Sequence, residues 1–245
     1  MEFAGKVALI TGASVGIGRA VAHLLAERGA DLVLLDIDGV KLKAVYDELQ
    51  NCPGEIKVYT CDVSKEEQVN KAVSEALGVF GRIDILVNNA AIWRSRSSFL
   101  ELSTEEWNRY LSTNVMSVVY CTKAVLAGMI KNGYGRIINV ASVAGVYGNA
   151  RMVHYSATKG AVISMTKALA KEVVNAGVLV NAVSPGSVSP SSNEDIDHHV
   201  STDLSYMGRT GTDRENAELI CFLASDRNSY ITGQNIQIDG CRKRL

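Results

Sequence analysis

The sequence is short of the features that would tie it to several function classes. Only three prolines, two tryptophans and four phenylalanines occur in 245 residues. Each proline (Pro53, Pro185 and Pro190) falls between stretches that read as strands or helices, where a missing N–H does no harm. The five cysteines (Cys52, Cys61, Cys121, Cys221 and Cys241) are odd in number and never form C-x-x-C. That argues against a disulfide framework or a structural zinc site, and they read as reduced packing thiols. No uninterrupted apolar run approaches the ~20 residues of a membrane helix. Charge of one sign is not in excess either: 25 Lys and Arg face 26 Asp and Glu, a net charge of −1. No global field therefore attracts nucleic acid or an anionic membrane. The opening Met1-Glu2-Phe3-Ala4-Gly5-Lys6 lacks the basic-then-apolar layout of a secretory leader, so a cytoplasmic protein is expected.

What is there is an alternation of two patterns. Lys6–Thr11, Leu32–Asp36, Ile56–Thr60, Ile83–Asn88, Arg136–Ala141, Val178–Ser184 and Asn235–Asp239 are rich in consecutive Val, Ile and Leu. Continuous apolarity over so few residues suits strands covered on both faces. Helical patterns lie between them, over Gly16–Arg28, Val40–Gln50, Lys65–Val79, Thr104–Lys131, Tyr155–Asn175 and Asp213–Ala224. Three of these begin with the pattern of a capping box: Ser64 with Glu67, Ser103 with Glu106, and Thr212 with Glu215. The alternation predicts an α/β fold: a single-domain, doubly wound, Rossmann-like parallel sheet of about seven strands with helices on both faces. The domain spans residues 1–245. The unpatterned, Ser-, Asp- and His-rich stretch 187–211 is expected to form a substrate lid.

The first strand runs into Thr11-Gly12-Ala13-Ser14-Val15-Gly16-Ile17-Gly18. Glycines where a strand turns into a helix let the backbone approach a bulky anion, and the helix start offers free N–H groups to a pyrophosphate. The second strand ends in Asp36, eighteen residues after Gly18. A carboxylate there accepts hydrogen bonds from an adenosine ribose diol and repels a 2′-phosphate. With Val15, not Arg or Lys, in the middle of the glycine loop, the cofactor is expected to be NAD(H), preferred over NADP(H). The third strand closes on Cys61-Asp62-Val63, where Asp62 is placed to face the adenine. Tyr155 and Lys159 are four residues apart on one helix, so they share a face. A phenol near pKa 10 is a poor base at neutral pH, and a neighbouring ammonium favours its phenolate.

Thr11-Gly12-x-x-x-Gly16-x-Gly18, Asn88-Asn89-Ala90, Asn114, Ser142, Tyr155-x-x-x-Lys159 and Pro185-Gly186 follow one another in an order and spacing that resembles the classical short-chain dehydrogenase/reductase family over essentially the whole chain. The resemblance implies hydride transfer between a secondary alcohol or ketone and a nicotinamide dinucleotide. It implies that Tyr155 is the general acid/base and that Lys159 holds the nicotinamide ribose and lowers the Tyr155 pKa. Ser142 then binds the substrate oxygen, and Asn114 supports a water that connects Lys159 to solvent. The implied cofactor surface is Gly12, Ser14, Val15, Gly16, Ile17 and Gly18, then Asp36, Asp62, Val63, Asn89 and Ala90. Tyr155, Lys159, Pro185, Gly186 and Val188 complete it. The resemblance also implies a homotetramer, with a dimer as the alternative, contacting through Thr104–Lys131 and Tyr155–Asn175.

The chain departs from that family in places. Ala91 stands where Gly is usual after Asn-Asn-Ala. Pro190 stands where a Thr commonly holds the nicotinamide carboxamide, so Ser189 or Ser191 is the candidate replacement. The lid is shorter than in many relatives. Met152, Val153 and His154, together with Trp93, Arg94 and Arg96, are candidates for the substrate pocket. His198-His199, with Asp195 and Asp197, reads as a solvated lid segment, and no metal is expected. The basic end Cys241-Arg242-Lys243-Arg244-Leu245 reads as a frayed or subunit-contacting tail. The leading function is an NAD(H)-dependent secondary alcohol dehydrogenase or ketone reductase. One alternative is a 3-oxoacyl-[acyl-carrier-protein] reductase. Those enzymes usually use NADPH and carry Arg in the glycine loop, so Val15 and Asp36 argue against it. Another, of a different class, is a dinucleotide-binding sensor or scaffold without turnover.

Overall fold

Seven strands pair side by side in the order β3-β2-β1-β4-β5-β6-β7, and every pairing is parallel. They are β1 Val7–Thr11, β2 Asp31–Asp36, β3 Ile56–Thr60, β4 Ile85–Asn88, β5 Gly135–Val140, β6 Val178–Pro185 and β7 Asn235–Ile238. This is a computed structural model, and it describes residues 1–189 and 195–243. Pro190 and Ser191 lie outside the described residues.

The strands are apolar on both faces because both faces are covered, as side-chain alternation shows. Ala8, Ile10, Leu32, Leu34, Ile85 and Val87 share one core with helices α1 (Gly16–Glu27), α2 (Gly39–Glu48) and α8 (Asp213–Ala224). Leu9, Val33, Leu35, Leu86 and Ile137 share the other with α3 (Glu66–Phe80), α5 (Ser117–Asn132) and α7 (Val153–Val173). The chain winds outward both ways from β1 and β4. Their carboxyl ends form the crevice where an open parallel sheet takes its ligands.

A buried polar chain fixes the middle of the sheet to its helices. Asn88 Nδ2 donates to Asn139 Oδ1 at 2.9 Å, and Asn139 Nδ2 donates to Thr166 Oγ1 at 2.9 Å. Satisfied amides of this kind specify one register, because a shift would orphan them in an apolar core.

Several local expectations change. The helix predicted over Thr104–Lys131 is three pieces: α4 (Thr104–Leu111), a wider π-type turn (Ser112–Met116) and α5. The turn holds Asn114, and such insertions frequently mark functional positions. By length and composition the stretch Thr104–Asn132 is apolar enough to cross a membrane, although no single run in it is. Cys121, Val125 and Met129 of this stretch lie in the core on the α3–α7 side. The capping box expected at Ser64 does not form: α3 starts at Glu66 with Lys65 at its cap, and the Ser64 N–H is taken by Asp62 Oδ1. Ser103 caps α4 through its hydroxyl, and the Thr212–Glu215 box closes α8 in both directions. A further box, Ser98 with Glu101, opens a short 3₁₀ turn (Phe99–Glu101). A one-turn helix, α6 (Ala144–Tyr147), was not foreseen, and α7 begins two residues before Tyr155.

Candidate active site

A cleft of about 920 Å³ runs across the carboxyl ends of the strands. One end is made by the turn from β1 into α1. Gly12 and Gly16 sit at φ of +64° and +60°, a region that suits glycine. A Cβ on Gly12 would stand 2.9 Å from Ala90 Cα, and one on Gly18 would stand 2.1 Å from the Gly12 carbonyl oxygen. Asn89 locks the loop from outside, donating through Nδ2 to the carbonyls of Thr11 and Gly12, each at 3.0 Å. Thr11 Oγ1 in turn accepts the N–H groups of Asn89 and Ala90. Val15 occupies the cap position of α1, and no side chain caps that helix start. An uncapped helix N-terminus behind glycines that keep the approach clear fits an anion such as a pyrophosphate.

The walls continue from there. Asp36 is buried at the end of β2; it accepts the Ser14 N–H at 3.0 Å and the Asp38 N–H at 2.9 Å. Each oxygen keeps a lone pair for a ligand hydroxyl. Asp62 and Val63 follow β3 along the same wall, and Ala90 and Ala91 follow β4. Ala91 does not adopt a positive φ, so its extra methyl brings no backbone strain.

The opposite end holds the chemistry-bearing side chains. Ser142 follows β5, and its Oγ accepts the Ala144 N–H at 3.1 Å. The Ser142 hydroxyl is also near enough to the Tyr155 phenol to influence it. Lys159 lies one turn further along α7 with its Nζ 5.9 Å from the Tyr155 ring centre. It is buried, and it donates to the Val140 carbonyl oxygen at 2.7 Å. What brings Ser142 and Tyr155 together is a close helix crossing: a Cβ on Gly145 of α6 would stand 2.5 Å from the Lys159 backbone. Burial raises the Tyr155 phenol from its ordinary value, and the Ser142 hydroxyl opposes that rise. Burial also lowers Lys159 to about 8. The resemblance implies that Lys159 lowers the phenol; burial is the largest influence here and raises it, because the phenol is removed from water.

Gly12, Ser14, Val15, Gly16, Ile17, Asp36, Asp62, Val63, Asn89, Ala90, Ser142, Tyr155, Lys159, Pro185, Gly186 and Val188 all line this one cleft. Gly18 and Asn114 do not. Gly18 packs behind the loop against Gly12 and Asn89. Asn114 is buried beneath it: Oδ1 accepts the Ile92 N–H at 2.8 Å, and Nδ2 donates to the Ile92 carbonyl and to Thr158. It therefore ties the stretch after β4 to α7.

Residues 12–241 match a family profile described as Enoyl-(Acyl carrier protein) reductase. The chain belongs to the classical short-chain dehydrogenase/reductase family. It is 40% identical over 243 residues to a 3-oxoacyl-[acyl-carrier-protein] reductase of Thermotoga maritima, covering 98% of each chain. It is 41% identical over 243 residues to that of Vibrio cholerae, again with 98% of each covered. Among solved structures it resembles an NAD+-bound xylitol dehydrogenase, with a TM-score of 0.90, 33% identity and coverage of 98% of this chain and 100% of that one. A levodione reductase gives a TM-score of 0.89 at 31% identity, with 97% of each chain covered.

As a short-chain dehydrogenase/reductase, the chain places its less regular residues as follows. Trp93 and Arg96 line the cleft, whereas Arg94 stacks on Trp93 5.5 Å from the ring centre. Met152 lines the cleft, but His154 points away into a buried aromatic nest with Trp107 and Tyr110. The Ser189 hydroxyl is engaged with Thr210 Oγ1 at 2.8 Å, which joins the two arms of the 187–211 stretch. Asp197 accepts Arg214 Nε at 2.9 Å, and among the described residues no three His, Cys, Asp or Glu side chains converge as a metal site. The expectation of a frayed or subunit-contacting tail is corrected for its described part, Cys241–Lys243, which is not frayed; Arg244 and Leu245 lie outside the described residues. Residues 240–243 are hydrogen-bonded to 204–207, and Arg242 lines the cleft. Neither Gly145 nor Arg242 carries a sequence signal, since each acts through a contact distant along the chain.

Proposed function

We propose that this short-chain dehydrogenase/reductase reduces the ketone of a 3-oxoacyl thioester to the secondary alcohol, with Tyr155 as proton donor. The observation that carries the reaction type is the convergence of Ser142, Tyr155 and the buried Lys159 at one end of the cleft. The several relatives named as 3-oxoacyl-[acyl-carrier-protein] reductases at about 40% identity support the substrate class over the broader alcohol–ketone reading.

A bound nicotinamide dinucleotide supplies the hydride to the carbonyl carbon. Gly12, Ser14, Val15, Gly16, Ile17 and Gly18 would hold its pyrophosphate at the α1 start. Asp36 would take the ribose diol, Asp62 and Val63 the adenine, and Asn89, Ala90, Pro185, Gly186 and Val188 the nicotinamide half. Tyr155 gives its phenolic proton to the substrate oxygen as charge develops there. Ser142 donates a hydrogen bond to the same oxygen, and Lys159 lies close enough to stabilise the phenolate left behind. Asn114 holds Ile92 and Thr158 in place around that centre. Because Asp36 faces the ribose site and no cation stands in the glycine loop, the cofactor we favour is NAD(H). Residues 1–245 act as one unit with 187–211 as its lid. The molecule works in the cytoplasm as a homotetramer through α4, α5 and α7.

A second reading, oxidation of a small polyol or secondary alcohol by NAD+, is favoured by Asp36 together with the likeness to NAD+-bound xylitol dehydrogenase. Absorbance at 340 nm separates the two. Acetoacetyl-CoA should be reduced with NADH faster than xylitol is oxidised with NAD+. The reverse order selects the second reading, and turnover of neither favours a binding protein without catalysis.

A further inference from the structure

The charges along the cleft are mixed at one end and positive at the other. Asp36, Asp38, Lys41, Asp62 and Lys65 stand on the β2–β3 side, with Lys41 paired to Asp38 at 3.2 Å. Asp213, at the start of α8, interacts with Arg19 of α1. Around Tyr155 the charged side chains that line the cleft, besides Lys159 itself, are Arg96, Arg109 and Arg242. Arg109 has a carboxylate partner, with Nη2 3.7 Å from Glu106 Oε1. Among the described residues, Arg96 and Arg242 form no ion pair.

Arg242 is the better placed of the two. It is half-buried, whereas Arg96 is exposed. Its Nη2 donates to Asn149 Oδ1 at 3.3 Å. Asn149 in turn gives its N–H to the hydroxyl of Ser156, the neighbour of Tyr155, at 3.1 Å. The segment that carries Arg242 is held in place. Cys241 takes a left-handed φ of +57°, and its carbonyl accepts the Tyr206 N–H at 3.0 Å. Lys243 N–H donates to the Leu204 carbonyl at 2.9 Å, and the Arg242 N–H donates to Asp239 Oδ1 at 3.3 Å. Among the described residues this guanidinium, held in a partly desolvated wall, bonds one neutral amide and forms no ion pair, so donors remain for a ligand. The chemistry that satisfies it is an anionic oxygen pair, bound through parallel N–H bonds.

We infer that Arg242 is a specificity residue that binds a carboxylate or phosphate carried by the substrate, so that the site selects anionic over neutral ketones. This deepens the ketone-reductase reading and rests on it. The test is kcat/KM for acetoacetate and for acetoacetyl-CoA, each divided by that for the neutral ethyl acetoacetate. Wild type, R242Q and R242K are compared, and NADH binding is followed separately by its fluorescence. The wild type should prefer an anionic ketone. In R242Q that ratio should fall about tenfold or more, and R242K should recover part of it. A loss on acetoacetate assigns a carboxylate, and a loss on the CoA thioester assigns its phosphates. Ratios that do not move in R242Q overturn the inference and leave the reductase intact. A wild type that binds NADH yet reduces none of the three ketones overturns the underlying reading, and this inference with it.

Discussion

Lys159 donates to the carbonyl oxygen of Val140 at 2.7 Å, and this single bond joins the middle of α7 to the last residue of β5. It leaves the ammonium buried and lowered to about 8, a sign that the fold holds this charge at some expense in solvation. Removing it should therefore separate stability from activity. Lys159→Met replaces a buried cation with an apolar chain of similar reach, which is often neutral or stabilising. We expect an unchanged or higher Tm by calorimetry, with kcat/KM reduced by about a hundredfold or more. A variant that is both markedly less stable and fully active would show that the ammonium is structural.

Tyr155 invites the complementary experiment. Its phenol is raised by burial, so the proton is in place throughout the neutral range and the group is poised as a donor. Tyr155→Phe keeps the ring and removes the proton. Ketone reduction should fall by about 10²–10⁴-fold while NADH binding, measured by fluorescence, stays within about twofold. In the wild type the reduction rate should be flat below about pH 8 and decline above it, as Lys159 loses its charge. Wild-type rates in Tyr155→Phe would remove the residue from the mechanism.

The fold and most of the site were legible in the sequence, for identifiable reasons. Continuous Val, Ile and Leu in runs of strand length can be satisfied only by burial on both faces, so the parallel sheet followed from β1, β2 and β6. The glycine turn, Asp36, Ser142 and the Tyr155–Lys159 pair were readable because each has a fixed offset from a strand end or a helical turn. The π-type turn at Asn114 was not, since an inserted residue leaves the apolar period of Thr104–Lys131 nearly unbroken. The Ser64 box failed because Asp62 competes for the same N–H group. Gly145 and Arg242 were missed for a different reason. Their roles come from contacts with Lys159 and Asn149, which only the packed chain brings near.

Asp36 carries two duties, and their consequences are separable. Its oxygens hold the Ser14 and Asp38 N–H groups, and its charge faces the site proposed for the adenosine ribose. Asp36→Ala removes the repulsion of a 2′-phosphate together with the ribose contact. The ratio of kcat/KM with NADH to that with NADPH should fall about tenfold. Because two N–H groups lose their acceptor, Tm should also fall by a few degrees. An unchanged coenzyme ratio alongside a lower Tm would reduce Asp36 to a loop-bracing residue.

His154 precedes the Tyr155 phenol but serves the core instead. It is buried in full, and among the described residues neither ring nitrogen has a hydrogen-bond partner. Its ring meets Tyr110 edge-on at 4.0 Å between centroids and Trp107 at 6.2 Å. Two charges face it: Glu106, whose Oε1 lies 3.9 Å from Nε2, and Arg109. Burial is the larger influence, and Arg109 adds to it against Glu106, so the imidazole titrates below its ordinary value. A histidine whose folded pKa is depressed binds fewer protons folded than unfolded. Its contribution is intact above about pH 6.5, where the unfolded chain is also neutral, and is lost as pH falls toward the folded value. His154→Phe keeps the edge-on aromatic packing and removes the orphaned nitrogens. It should raise Tm at neutral pH by about 2–4 °C for each kcal/mol of desolvation relieved. The gain should widen between pH 6.5 and 5, as the wild type alone weakens there. A Tm difference that stays constant across that interval would mean that His154 takes up its proton at the same pH folded as unfolded, and that burial in the nest of Tyr110 and Trp107 does not depress it.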